Sequence, residues 1–298
     1  MSWEDTFTSW AKPPSQTEEA KCDNAVTAVR KAIDASTVLQ HRNINVFAQG
    51  SYCNRTNVRQ DSDVDICVLC ADVCFVDYSM SEGLTDGDVG LSDHPYTSAE
   101  YKNDVEKALR AHFGARHVDR GNKAFDIHEN TYRVDADVVP CFEHRRYHRK
   151  HGGGFYFLSG TQFHPDNGGQ VINWPKQNYD NGVAKNKDTG QRFKAAVRIL
   201  KRLRNKMADE KIAAAIPIPS FLIECLVWNV PDELFGHDTY RAVREALAFL
   251  FNNTMNFNDC KEWGEINELK YLFRTAQPWT MAQVHDFTSV AWDYLGLE

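Results

Sequence analysis

Aspartates stand at alternate positions immediately before one of the most apolar stretches of the chain. In "DSDVDICVLC", the side chains of Asp61, Asp63 and Asp65 fall on one face of a strand. Val64 and Ile66 fall on the opposite face. Carboxylates two residues apart on a strand lie about 6.5 to 7 Å apart, so their like charge raises their pKa values unless a cation compensates. The stretch therefore predicts a half-buried strand whose acidic face binds a divalent cation.

A second stretch, "YRVDADVVPCF", repeats this arrangement with Asp135 and Asp137 and supplies a further carboxylate. Carboxylate oxygens suit Mg²⁺, which is usually completed by substrate phosphates. Two such ions about 4 Å apart activate an attacking hydroxyl and stabilise a leaving oxygen at phosphorus. Upstream, Gly50 allows close backbone approach to a phosphate, and Ser51 can donate its hydroxyl and N–H. The residues together predict nucleotide chemistry at phosphorus.

The set "QGSY", "DSDVDI" and "VDADVVP" resembles the signature of polymerase-β-type nucleotidyltransferases. The tail "ADVVPCF" is similar to the oligoadenylate synthetase and cyclic GMP-AMP synthase branch. The stretches "RFKAAVRILKRLRN" and "PSFLIECLVWNVP" resemble the bacterial CD-NTases, in particular clade E, and the resemblance runs from Ser15 to the end. It implies an α+β, bilobal, polymerase-β-like fold with a mixed β-sheet palm lobe, a helical C-terminal lobe and the active site in the cleft between them.

The resemblance also implies roles for the acids. Asp63 and Asp65 would ligate two Mg²⁺ ions, for which Mn²⁺ can substitute. Asp137 would ligate the ion that activates the acceptor hydroxyl, which makes these three residues the catalytic and metal-binding set. We expect Asp61 and Asp135 to lie beside this set rather than in it.

Nucleotide-binding residues follow from the same resemblance. Gly50 and Ser51 would hold the donor triphosphate, and Lys201 and Ser220 match positions that reach it from the helical lobe in relatives. The remaining candidates for nucleotide contacts are Lys194, Arg198 and Asn173. The first two share a face of the helix that carries Lys201, although a solvated helix face has the same pattern. The third matches a nucleobase-pocket position whose amide suits the uracil edge, although asparagine before Trp-Pro is also common in turns.

Charge and composition limit the possible partners. The 298 residues, 42% of them hydrophobic, carry a formal charge of -7, which argues against a sequence-blind nucleic-acid binder. Between Lys185 and Lys211, however, ten Lys/Arg face three Asp/Glu, which suggests a small polyanion held locally. An apolar run long enough to span a membrane and a secretory start are both missing, so we expect a cytoplasmic protein with reduced cysteines.

The pattern along the chain changes from mixed to helical. A capping box predicts a helix from Ser15 to about Ala35, and strands follow in "INVFAQG" and "VDICVLC". A helix is expected over Ser98–Phe113, then two strands in "KAFDIHENTYRVDADVVPCF". We interpret "EHRRYHRKHGGG" as a solvated loop and the residues to Asn186 as further loops. The predicted lobes are 1–155 and 156–298.

The function implied by the resemblance is synthesis of a cyclic dinucleotide, or a related cyclic oligonucleotide, from NTPs with release of pyrophosphate. UTP, ATP or both are the expected substrates, and a separate effector protein in anti-phage defence is the expected receiver of the product. The enzyme is expected to be a monomer without a stable nucleic-acid or membrane partner. Template-independent RNA tailing, transfer to a small molecule or protein, and a non-catalytic nucleotide-binding module remain alternatives.

Overall fold

The computed structural model describes residues 2–58, 63–236, 238–274 and 277–297. The chain packs into two compact units. The sheet unit comprises Ser15–Tyr52 and Asp63–Lys176. The helical unit comprises Met1–Pro14, Cys53–Ser62 and Gln177–Glu298. The predicted lobes and the cleft between them stay a prediction; the packing groups the strands beyond residue 155 with the sheet, because they pair with it.

Within the described residues, the sheet is mixed and has seven strands. They are β1 (Ile44–Gln49), β2 (Val64–Met80), β3 (Val118–Arg120), β4 (Phe125–Ile127), β5 (Ala136–Arg149), β6 (Phe155–Phe163) and β7 (Val171–Asn173). Their order is β1-β2-β5-β4-β3, with β6 beside the second half of β5 and β7 beside β6. β2 and β5 are parallel, and every other pair is antiparallel. The two central strands are the two acid-bearing apolar stretches, which need burial on both faces.

The helices alternate with these strands and then dominate the chain after the sheet. They are α1 (Trp3–Trp10), α2 (Gln16–Asp34), α3 (Gly50–Cys53), α4 (Ser98–Phe113), α5 (Pro175–Asp188), α6 (Arg192–Asp209), α7 (Ser220–Trp228), α8 (Thr239–Asn253), α9 (Phe257–Cys260) and α10 (Met281–Leu295). Short 3₁₀ turns are Leu39–His41, Gly87–Val89, Ala115–His117, Ala213–Ala215 and Asp232–Leu234. The predicted capping box closes around Ser15 and Glu18, and the helices predicted near 15–35 and 98–113 are confirmed.

One face of the sheet is covered by α2 and α4. Val29 and Ile33 of α2 and Val105 of α4 are buried against Val64 and Ile66 of β2. Because strand side chains alternate, the odd-numbered residues at the start of β2, from Asp65 to Leu69, point to the opposite face of the sheet; register shifts after Cys70 end this simple alternation. A smaller buried cluster lies there, formed by Cys67, Val139, Cys141 and Phe163. The acids at the start of β2 and β5 therefore lie on the face opposite α2 and α4.

The prediction of a solvated loop in "EHRRYHRKHGGG" is wrong. β5 continues through Arg149, and Gly152, Gly153 and Gly154 turn the chain into β6 with positive φ angles. The basic side chains have partners in the sheet, since Arg146 Nε donates to Asp77 Oδ2 at 2.8 Å. The loops predicted to Asn186 are likewise largely β6, β7 and α5. For the two strands the reason is that β5 supplies backbone partners to β6 and β6 supplies them to β7, which a short polar stretch does not reveal.

The helical unit is built around α6. Its apolar stripe, including Phe193, Val197 and Leu200, is buried in one core with α7, α8 and α10. Phe7 of α1 belongs to the same core and is fully buried. Among the described residues, none of the helices has the length and apolar character needed to cross a bilayer.

Candidate active site

The acids at the ends of two central strands come together by strand register. Asp65 of β2 pairs with Asp137 of the parallel β5, and Gln49 of β1 pairs with Asp65 from the other side. Register partners point to the same face of a sheet. Asp63 lies one residue before β2, in phase with Asp65. The structure thus brings together the three predicted catalytic acids within the sheet unit, on the face opposite α2 and α4.

Gly50 is fitted against one of these carboxylates. It begins α3 directly after β1 and has φ +67°, in the left-handed region where glycine carries no steric penalty. A Cβ added there would lie 2.1 Å from Oδ2 of Asp65, far inside contact distance. Only a residue without a side chain permits this approach of backbone to carboxylate. Ser51 follows in the same short helix and is half-buried.

The electrostatic surroundings of Asp137 indicate that the acidic face needs a compensating cation. Burial raises the pKa of its carboxyl, and the negative charges of Asp63, Asp126 and Asp135 raise it further. Several carboxylates on one face repel each other unless a cation lies between them. Their oxygens are the donor type that hard divalent cations prefer. The residues present therefore fit a bound metal ion.

Asp126 is a member of this group that our sequence prediction missed. It pairs directly with Asp137 across the antiparallel β4–β5 ladder. Oxygen and nitrogen atoms of Asp126, His128 and Asp135 lie within 4.8 Å of one another, close enough to share an ion. The alternation "AFDIH", an acid between two buried apolar residues, carries the signal, but only the β4–β5 register shows which residue it faces. Asp61 lies outside the described residues.

Asn173 lies elsewhere in the sheet unit. It ends β7, is half-buried and pairs with Thr161 of β6. The backbone carbonyl of Asn173 and the ring of Trp174 pack on Gly160, where a Cβ would lie 2.6 Å from that carbonyl oxygen. The position is therefore fixed by a strand rather than by a turn. Its role at a nucleobase stays a prediction.

The candidates in the helical unit differ in their surroundings. Lys201 of α6 is buried and its Nζ lies 2.5 Å from Oε1 of Glu224 on α7; the two side chains are 2% and 3% exposed. Ser220 is exposed at the first position of α7 and accepts a hydrogen bond from Nη2 of Arg204 at 2.5 Å. Lys194 is buried near the start of α6. The predicted phosphate contacts of all three stay predictions.

Two of the ten cations between residues 185 and 211 pair with acids outside that stretch. Lys185 Nζ lies 2.5 Å from Oδ1 of Asp232, and Lys201 is paired with Glu224 as described. These acids are 47 and 23 residues away in sequence. These two lysines therefore contribute less to the local excess of positive charge than the sequence suggests.

Breaking the Lys201–Glu224 pair should destabilise the protein strongly. Lys201→Met leaves a buried carboxylate without its cation, and we expect a loss of about 3–5 kcal/mol in the free energy of unfolding. The double variant Lys201→Met/Glu224→Gln removes both charges and should recover most of the loss. Urea denaturation of the three proteins measures this; equal stability of the single variant and the wild type would contradict it.

Comparison with known proteins agrees with this geometry. Residues 180–296 match the family of cGAS/DncV-like nucleotidyltransferase C-terminal helical domains. The cyclic dipyrimidine nucleotide synthase CdnE of Legionella pneumophila is 48% identical over 99% of this chain and 98% of its own length. The chain belongs to the bacterial CD-NTases, in the clade of the CdnE synthases. The predicted family, the predicted enzyme class of nucleotidyltransferase and the α+β fold with a mixed sheet and helical C-terminal part are thereby confirmed.

Two further CD-NTases extend the comparison. The cyclic dipyrimidine nucleotide synthase CdnE of Cecembia lonarensis is 41% identical to this CD-NTase over 98% of both chains. A solved structure of the Rhodothermus marinus CdnE c-UMP-AMP synthase, with Apcpp and Upnpp, superposes with a TM-score of 0.84 at 28% identity, covering 98% of this chain and 96% of that one. Relatives with these names span this CD-NTase almost completely.

Proposed function

We propose that this CD-NTase joins two NTPs into a cyclic dinucleotide, with at least one uridine, and releases two pyrophosphates. The proposal rests on the pairing of Asp65 with Asp137 on adjacent strands and on the close approach of Gly50 to the Asp65 carboxylate. We call Asp63, Asp65 and Asp137 the acidic row. A nucleotide's phosphates and their cations would lie against it. The names of the relatives from Legionella pneumophila and Cecembia lonarensis support a pyrimidine-containing product.

The proposed reaction is a nucleophilic displacement at phosphorus, made twice. A ribose hydroxyl of one nucleotide loses its proton and its oxygen bonds to the α-phosphorus of the other. The bond from that phosphorus to the pyrophosphate oxygen breaks. The same exchange in the opposite direction closes the ring. In this proposal, Gly50 lets the backbone approach the phosphates, Ser51 donates hydrogen bonds to them, and the carboxylate of Asp137 accepts the proton of the attacking hydroxyl.

We propose two Mg²⁺ ions as the cofactor, with Mn²⁺ as a substitute, held by Asp63, Asp65 and Asp137. Bound there, the ions would lower the pKa of the attacking hydroxyl and neutralise the departing pyrophosphate. The raised pKa of Asp137 supports a cation at this position, since like charges surround it. Asp126, on the neighbouring strand, is the candidate for a further contact to the cation or its water.

We propose a cytoplasmic monomer whose product acts on a separate effector protein in anti-phage defence. Each of the eight cysteines is a free thiol, which supports a reducing compartment where NTPs are abundant. Mass spectrometry of the products made from all four NTPs tests the central proposal. A cyclic dinucleotide that contains uridine supports it. Linear tails, or nucleotides joined to an added acceptor only, would favour the alternative transferase activities.

Asn173 is our candidate for the recognition of uracil. Its amide can accept from N3–H and donate to a carbonyl of the base, whereas a carboxylate only accepts. We expect Asn173→Asp to lower uridine incorporation about tenfold or more relative to purines, because one base atom loses its partner. Competition between UTP and ATP, followed by product mass spectrometry, measures the ratio.

A matched control for this substitution is Asn258→Asp, which makes the same chemical change at an exposed residue of α9. It should leave the product ratio unchanged. An Asn173→Asp enzyme with the wild-type ratio removes Asn173 from the base-recognition proposal.

A further inference from the structure

A cavity of about 450 Å³ lies beside α2 and α4 in the sheet unit. It is lined by α2, by the end of α4 and by the connection from β4 to β5, all of which belong to the sheet unit. The acidic row lies on the face of the sheet opposite these two helices. The cavity is therefore separate from the candidate active site. Its lining includes Asn24, Phe113, His117, Glu129, Tyr132 and Arg133.

Arg133 is the buried cation of this cavity. It is 8% exposed, its Cζ lies 4.9 Å from the centroid of the Phe113 ring, and its Nη1 donates to the backbone carbonyl oxygen of His128. In the part of the chain that the structure describes, Nε and Nη2 have no hydrogen-bond partner and the guanidinium forms no ion pair. An almost completely buried arginine is normally paired with a carboxylate, because an unpaired charge is costly to remove from water.

Another buried arginine shows how such a group is satisfied within the fold. Arg198 of α6 is 7% exposed, and its Nε and Nη1 donate to the backbone carbonyl oxygens of Ala11 and Arg55, at 2.8 and 2.6 Å. Arg133 is buried to a similar extent but makes one such bond. The difference is that the guanidinium of Arg133 lies at a cavity, where a ligand can supply the missing acceptor.

The nearby acids compensate this charge only in part. Glu129, which lines the cavity, has an exposed side chain and forms no ion pair within the described residues. Burial lowers the pKa of Arg133, and the charge of Asp135 offsets part of that effect. The N–H groups on Nε and Nη2 of a guanidinium are parallel and match the two oxygens of a carboxylate. A carboxylate in the cavity would supply the partner that the fold does not.

The remaining lining favours an aromatic ligand. Tyr132 is 76% exposed, and its backbone carbonyl oxygen accepts a hydrogen bond from Nδ2 of Asn24 at 3.0 Å, which holds it beside α2. A flat ring packed on the Tyr132 ring would remove apolar area from water on both sides. Nε2 of His117 accepts from Nε of Arg116 at 3.1 Å, so Nδ1 of His117 carries a hydrogen and is a further donor.

We propose that this cavity binds a small aromatic carboxylate, with the carboxylate on Nε and Nη2 of Arg133 and the aromatic ring against Tyr132. The volume fits a molecule of this size rather than a single inorganic ion. The site does not depend on the nucleotides proposed as substrates. The chain nevertheless connects it to the acidic row, because the backbone N–H of Glu129 donates to Oδ1 of Asp135 and Asp137 follows two residues later. The ligand therefore contacts the segment that leads into the acidic row.

Ligand-observed NMR titrations with four probes test the charge and the ring separately. Benzoate carries both, benzamide lacks the charge, acetate lacks the ring, and phenyl phosphate carries a different anion. We expect benzamide and acetate each to bind about tenfold or more weakly than benzoate, because each lacks one of the two contacts. Tighter binding of phenyl phosphate than of benzoate would overturn the assignment to a carboxylate.

Arg133→Met should weaken benzoate binding about tenfold or more, because a charged, two-point contact is lost. The turn that carries Arg133 is held without the guanidinium, since Oδ1 of Asn130 accepts from the backbone N–H groups of Tyr132 and Arg133 at 2.9 and 3.1 Å. The variant should therefore fold, which its thermal unfolding curve checks. Arg241→Met is the matched control at an exposed arginine of α8, and it should bind benzoate like the wild type.

Two substitutions at exposed residues of the cavity keep the test independent of folding. Tyr132→Ala should weaken benzoate binding about threefold or more and leave acetate binding unchanged, since the ring contact alone is lost. Glu129→Gln should strengthen benzoate binding about twofold, because a like charge no longer faces the carboxylate. A gain of affinity cannot result from a damaged fold.

Equal affinities for benzoate and benzamide overturn the proposal. So does wild-type affinity for benzoate in a folded Arg133→Met protein. If Arg133→Met does not fold, unchanged benzoate affinity in both Tyr132→Ala and Glu129→Gln overturns it instead. None of these results bears on the synthesis of cyclic dinucleotides, because the probes contain no nucleotide and the titrations need no turnover.

Discussion

The double substitution Asp63→Asn/Asp65→Asn should abolish nucleotide synthesis while leaving the fold intact. Removing both carboxylates takes away the cation ligands, and several kcal/mol of transition-state stabilisation correspond to a rate loss of about 10³-fold or more. The melting temperature should equal or exceed that of the wild type, because repulsion with Asp137 is relieved. Pyrophosphate release and product mass spectrometry measure the first effect, and thermal unfolding measures the second.

A control with the same change in net charge is Asp34→Asn/Asp93→Asn, at two exposed positions outside the acidic row. It should synthesise product at the wild-type rate. Residual synthesis above one tenth of the wild-type rate in the Asp63/Asp65 variant would place the reacting phosphorus elsewhere in the molecule.

Gly50→Ala should remove most of the activity through a single methyl group. The added Cβ would lie 2.1 Å from Asp65 Oδ2, so either the carboxylate or α3 must move by about an ångström. A displacement of that size in a reacting group lowers the rate by about 100-fold. The left-handed φ of +67° adds a stability loss of about 1–2 kcal/mol.

Gly90→Ala separates the effect of the left-handed backbone on stability from the effect of the contact with Asp65 on activity. Gly90 has a nearly identical φ of +70°, and nothing lies within 4 Å of its Cβ position. Its substitution should therefore reproduce the stability loss but keep full activity. If Gly50→Ala and Gly90→Ala have the same pyrophosphate release rate, the close approach of Gly50 to Asp65 has no part in the chemistry.

The acidic row shows how much of the candidate site can be predicted from the sequence alone. Alternation placed Asp63 and Asp65 on one face, and a second alternation did the same for Asp137, because strand geometry has a period of two. Which strands are neighbours does not follow from alternation. Asp126 faces Asp137 only through the β4–β5 register, so its membership of the group could not be predicted.

Charged residues of the helical unit were harder to predict. Helical periodicity predicts the apolar stripe of α6, but it does not distinguish a buried lysine from an exposed lysine on the same helix. The partner of Lys201 lies on α7, 23 residues later, and no local pattern joins the two. The hairpin of β5 and β6 was missed for a related reason: the polar residues of β5 find their partners in β2, which is distant in sequence, and β6 then pairs with β5.

The carbonyl groups bound by Arg198 have a consequence for how this enzyme could be divided. Residues 180–296 form a contiguous family domain, yet Arg198 donates to Ala11 and Arg55, and Phe7 fills part of the same core. A recombinant fragment beginning near Gln177 would lack all three. The C-terminal half is therefore not expected to fold independently. Gene fusions or domain exchanges that use it must also include Met1–Pro14 and Cys53–Ser62, which belong to the same compact unit.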